Sequence, residues 1–107
     1  MAIRREVVAT WTPSLSPDVK AQKLRWYVNG KLIKRVVLRA RVNRRAWSSD
    51  NHNHPILEGD TIQCMVCAVD EVGESVWVQA QVNFQYTKPD PPTDLVLEKL
   101  PIYLDIG

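Results

Sequence analysis

Cysteine is scarce in this chain of 107 residues, with only Cys64 and Cys67, and so are glycine, with four, and phenylalanine, with one. The two cysteines stand three apart in "QCMVCAV". On a strand, side chains at that spacing point to opposite faces, which disfavours both a disulfide and a shared metal between them. A zinc knuckle would need a second ligand pair and a tight turn, and neither is there. No stretch approaches the roughly 20 apolar residues that span a bilayer, and the start "MAIRREVVATW" lacks the apolar run of a secretory signal. The expectation is no membrane and, with Met1 as the start, a protein made and kept in a cytoplasm. Also missing are a glycine-rich phosphate cradle, a nucleophile with a base and an orienter, and paired carboxylates. These absences point away from an enzyme and imply no cofactor. His52 and His54, near Asp50 in "SDNHNHP", read as solvated loop histidines, the commoner meaning of such residues, and no metal is assigned to them.

What is present fits one globular domain. Hydrophobic residues make up 45% and charged residues 24% of the chain, values that argue against disorder, and the length suits a single core. Short runs of alternating apolar and polar residues, separated by turn residues, predict an all-β sandwich without a helix. The first run is "EVVATW", closed by the Pro-containing "TPSLSPD". In "KLRWYVNGKLIKRVV", Leu24, Trp26 and Val28 share one face, and Asn29-Gly30 predicts a type I′ hairpin turn into a return strand over Lys31 to Leu38. "RARVNRRAW" is a weaker strand candidate, and "SSDNHNHP" is a loop. "DTIQCMVCAV" places Ile62, Cys64, Val66 and Ala68 on one face, and "DEVGES" turns the chain. "VWVQAQVNF" directs Val76, Val78, Ala80, Val82 and Phe84 inward.

"VVATWTPS", "LRWYV" and "LEGDTIQCMVCAVDEVGES" together resemble a fibronectin type III domain of the immunoglobulin-like sandwich class. Leu57, Gly59, Ala68, Val69, Asp70, Gly73, Glu74 and Ser75 fall in register with that family's sixth strand and following turn. Ile62 stands where the family usually carries a tyrosine, and proline is absent before Gly59. The resemblance covers roughly residues 6 to 86 and implies the fold, not a function. It also implies a first strand that is missing at the start, where only "MAIRR" precedes the second. "PDPPTDLVLEKL", Pro89 to Leu100, resembles that opening.

The expected organisation is therefore a sandwich over residues 1–86 and a Pro-rich linker and arm over residues 87–107. Thr87 to Asp94 spans about 26 Å when extended, as long as a strand of about eight residues. Folding back is possible but taut, and donation to a neighbour is easy; a tail that binds another protein or moves freely stays open. Leu95, Val96, Leu97, Leu100, Ile102, Tyr103 and Leu104 are the arm's candidate contacts. Tyr27, Met65, Cys67, Val69 and Trp77, on the outer face of the third and sixth strands and their neighbour, form a second apolar patch.

Charge is divided along the chain. Lys20 to Arg45 holds ten basic residues and no acid, including the patch Lys34, Arg35, Arg39, Arg41, Arg44 and Arg45; from Asp50 onward ten acids face only Lys88 and Lys99. Ten cations suggest nucleic acid, but the sandwich is not a usual module for it and few aromatics lie nearby, so nucleic acid is disfavoured. Charge pairing within the fold or between subunits explains the division better. The expected function is a non-enzymatic virion structural protein of a bacteriophage, decorating a capsid or forming part of a tail, made in the host cytoplasm. Its partners would be further copies of itself or a major capsid or tail protein. The alternative is a cell-surface or carbohydrate-binding adhesion module from a longer chain.

Overall fold

The computed structural model describes residues 5–85 and 89–100. The strands are β1 (Val8–Thr10), β2 (Ala21–Val28), β3 (Lys31–Arg39), β4 (Arg44–Ala46), β5 (Thr61–Val69) and β6 (Val78–Asn83), with a one-turn helix α1 (Trp47–Asp50) after β4. The protein is all-β, as the alternation predicts. Two antiparallel sheets form, one in the order β1-β4 and one in the order β3-β2-β5-β6.

β2 and β3 are joined by the predicted turn. Asn29 has φ 50° and Gly30 φ 83°, both in the left-handed region that a type I′ turn requires. Asn29 also clamps the turn to the start of β5: its Nδ2 donates to Asp60 Oδ1 at 3.0 Å, and its Oδ1 accepts from the Thr61 N–H at 2.9 Å. A register shift between Trp26 and Tyr27 leaves Ile33 as the extra residue of β3 and lets it pack against the core.

The core lies between the sheets. Leu24, Trp26 and Val28 of β2, Leu38 of β3, Trp47 of α1, Ile56, and Ile62 and Val66 of β5 are buried, with Val7, Ala9 and Trp11 packed against them from the β1 side. Trp26 and Trp47 meet edge to face with centroids 5.4 Å apart, the arrangement the ring quadrupoles favour. Two polar networks tie the sheets together. Buried Gln22 accepts from Trp11 Nε1 at 2.7 Å and donates to the carbonyls of Arg39 and Val42 at 2.9 and 2.7 Å. Asp50 accepts from Trp26 Nε1 at 2.8 Å and from Arg45 Nε at 2.9 Å, and is paired with the Arg45 guanidinium.

Three local expectations change. The weak strand over "RARVNRRAW" shrinks to β4, because Ala40 and Arg41 turn the chain where the Gln22 amide holds the carbonyls of Arg39 and Val42. The predicted loop "SSDNHNHP" begins within α1, whose position is fixed by the buried Trp47 and by Asp50 reaching Trp26 and Arg45. The last strand starts at Val78, not Val76. Ser75 Oγ accepts from the Ala68 N–H at 2.9 Å and donates to the Val76 carbonyl at 2.9 Å, so its hydroxyl replaces ladder bonds there and Val76 stays exposed.

Candidate assembly site

β6 is the last strand of its sheet, and its inner face is only partly covered by the described residues. Among the described residues β1 and β4 alone make up the facing sheet, and two strands do not cover four. Val78 and Val82 are 60% and 43% exposed although their register sets them on the core side, opposite Val66 and Ile62. The result is a continuous cleft between β1 and β6. One part, about 350 Å³, is lined by Val7, Ile62, Val82 and Phe84 among others; the next, about 370 Å³, by Trp11, Val66, Val78 and Gln79. The two parts share Val8, Ala9, Cys64 and Ala80. Among the described residues, Glu6 is the only charged one on the walls.

Cys64 sits midway along this slot. Its thiol is pushed up from 9.0 to about 12, first by burial and then by the nearby Asp50 carboxylate, so it stays protonated and a poor nucleophile at neutral pH. Cys67, three residues on, faces the other side of the sheet. It is buried, with Sγ 3.9 Å from Glu74 Oε2, and its thiol is also raised, by burial and then by Glu74. Both cysteines are free.

The second feature is the arm. Residues 89–100 form no strand and all are exposed. Leu95 and Leu97 are 91% and 92% in solvent, with Val96 and Leu100 close behind. Pro89, Pro91 and Pro92 explain why the segment does not turn back along β6: they offer no N–H to a ladder, fix φ, and make a semi-rigid extended spacer. The radius of gyration is 25.4 Å, against about 13 Å for a compact chain of this length, and the longest dimension is 100 Å. Among the described residues the arm does not complete its own sandwich. Ile102, Tyr103 and Leu104 lie outside the described residues.

The outer apolar patch is partly self-covered. Arg25 lies over the Trp77 ring at 4.4 Å, Cys67 is buried, and Tyr27, Met65, Val69 and Trp77 are half-buried. Sequence reasoning placed Cys67 at a contact surface; the thiol lies beneath its own neighbours because Glu74, bridged back to Val69, closes over it.

The basic segment is also partly neutralised within the fold. Lys20 pairs with Glu71, Lys23 with Glu74 at 3.3 Å, and Arg45 with Asp50, while Arg41 donates to the Ser14 carbonyl at 2.9 Å. Lys34, Arg35, Arg39 and Arg44 are exposed and make no ion pair among the described residues. The first three stand on β3, the opposite edge of the sheet from β6. At the far loop, buried Asn51 has an Nδ2 with no hydrogen-bond partner among the described residues, beside a small cleft also lined by Arg5, His52 and His54. Nothing in the sequence singled out Asn51; its burial follows from α1, which was not expected.

No protein-family model, no curated protein and no solved structure matches this chain.

Proposed function

We propose that the chain is a fibronectin type III-like module acting as a non-enzymatic virion structural protein of a bacteriophage, on a capsid or a tail, and that it assembles through its C-terminal arm. One observation carries the reading: an apolar arm stands wholly in solvent on a chain whose sandwich has an unfilled apolar slot. Full burial of Leu95 and Leu97 would contribute about 3–6 kcal/mol before the costs of ordering are subtracted. Strand addition to an open edge supplies backbone hydrogen bonds as well. Such contacts stabilise a larger shell or tube by linking its parts. Exposed cations on β3 would then meet acidic surface on a neighbour and fix orientation. Quantitative mass spectrometry on particles purified from cells that carry the gene tests this reading. The chain is expected in a fixed ratio to a capsid or tail protein, and its absence from such particles would remove the virion role.

A second reading is favoured by the unpartnered Asn51 amide beside the His52 and His54 cleft: a cell-surface or carbohydrate-binding module that reads a ligand with that loop. Binding to a glycan array that is lost in Asn51→Leu would support it over the first.

A further inference from the structure

We infer that the slot between β1 and β6 receives the Leu95–Leu100 arm of a second copy of this chain, so that copies link head to tail. The inference rests on the assembly reading above and names the partner of the same site.

Length fits first. Asp94 turns the chain with φ 60°; the six residues after it, Leu95–Leu100, cover about 20 Å when extended, the same as the six residues of β6 that wall the slot. Chemistry fits next. Leu95, Leu97 and Lys99 share one face of an extended segment, and the slot they would enter is mostly apolar, with Glu6, Thr10, Gln79 and Gln81 as its polar lining. Val96, Glu98 and Leu100 stand on the other face, and an arm running from the Trp11 end would bring Lys99 to the Phe84 end, where Glu6 lines the slot.

Direction then decides between copies. Val7 shares one end of the slot with Phe84, and Trp11 shares the other with Val78, so β1 and β6 run in opposite directions across it. All strand pairs among the described residues are antiparallel, the more stable pairing. A strand added antiparallel to the free edge of β1 must therefore enter at the Trp11 end and leave at the Phe84 end. The chain's own arm departs from the Phe84 end, behind a spacer stiffened by three prolines. It would have to travel the whole slot backwards before entering. A neighbour's arm enters directly, and the acceptor's own arm leaves at the opposite pole to reach the next copy. That contact is heterologous and propagates, as a line or a ring.

The test uses the full chain. Light scattering after size exclusion is expected to show masses that rise with concentration above the 12.3 kDa protomer. Leu95→Asp with Leu97→Asp removes the arm's apolar face, and Ala80→Asp or Val78→Asp places a charge in the slot at positions already exposed in the protomer. Near-UV circular dichroism of the buried tryptophans checks that each variant is folded. Each variant alone is expected to remain a single protomer. An equimolar mixture of arm and slot variants has one intact arm and one intact slot, so it is expected to form two-protomer particles and nothing larger. A wild-type chain that stays a single protomer at every concentration would overturn the inference. So would folded variants that still assemble, or a mixture that does not combine. Should the chain nonetheless be found in purified particles, the structural role stands and the partner is another protein.

Discussion

The four-stranded sheet ends in two strands that meet solvent in opposite ways. β3 carries Lys31, Lys34, Arg35 and Arg39 in nine residues, all exposed. Lys34 even takes the register position opposite Trp26, so the edge presents charge on the core side as well as the outer side. This is how a strand edge is kept from pairing with another chain. β6, reading "VQAQVN", has no charge, and its valines open onto a slot. One sheet thus contains a guarded edge and an unguarded one, and the unguarded edge belongs to the chain that also carries an unpaired apolar arm. The difference separates a strand whose charges close the fold from one whose apolar face is left open opposite β1, the strand to which the arm is added.

The largest test of that difference compares the core-side residues of the two strands. Leu38 of β3 is 7% exposed and Val82 of β6 is 43% exposed. Leu38→Ala should cost about 2–5 kcal/mol of stability, because it leaves a cavity in packed surroundings. Val82→Ala in the dilute protomer should cost less than about 1 kcal/mol, because little is packed against it. Urea unfolding of both measures this, and equal costs would mean that the slot is filled within one chain.

The ends of the strands differ in the same sense. β3 is pinned at its end by buried Gln22, whose loss strands the Trp11 indole N–H and two carbonyls; Gln22→Ala should cost about 2–3 kcal/mol. β6 is pinned by Asn83, which donates to the Thr61 hydroxyl at 2.8 Å and the Gly59 carbonyl at 3.2 Å in full solvent. Water can replace those bonds, so Asn83→Ala should cost about 0.5–1 kcal/mol. A reversed order in the same unfolding experiment would break the contrast between the two edges.

Much of this was legible in the sequence because it follows from period and turn chemistry. The faces of β2 and β5 come from strict alternation through Leu24, Trp26, Val28 and through Ile62, Cys64, Val66. The hairpin comes from Asn29-Gly30, which few other turns explain. The arm stood out because prolines followed by alternating apolar residues are the pattern of an extended segment. What was not legible depends on contacts far apart in the chain. Only Asp50 meeting Trp26 makes α1, and only Ser75 replacing ladder bonds delays β6 to Val78. The slot itself could not be read from one strand: Val78, Ala80 and Val82 look like core residues, and they stay open because, among the described residues, β1 and β4 are the whole of the facing sheet.

Removing the guard on β3 should change solubility more than stability. Lys34→Thr with Arg35→Thr alters exposed side chains that make no ion pair among the described residues, so the shift in unfolding free energy should stay within about 0.5 kcal/mol. Turbidity at rising protein concentration should nonetheless increase, because a β-prone edge has lost its charges. Unchanged solubility would show that the cations on β3 serve partner binding alone.

The smallest effect at neutral pH is the one that reports on the slot from inside. Cys64 pairs with Ala80 of β6, and its thiol is raised from 9.0 to about 12 by burial and then by Asp50. The unfolded chain releases this proton near pH 9 while the folded chain keeps it. Stability from this group is therefore fully present below pH 9 and drains away as pH rises through about 12. Cys64→Ala should lack that drain, so the difference in stability between wild type and variant should be flat to pH 9 and change above it. An arm entering the slot would bury the thiol further and raise it again. Alkylation of Cys64, followed by peptide mass spectrometry to separate it from Cys67, should be slow in the dilute protomer and slower still at concentrations where copies assemble. The Leu95→Asp with Leu97→Asp chain should show no such slowing. A rate that ignores concentration would place the arm somewhere other than beside Ala80, and the unguarded edge would then need a different occupant.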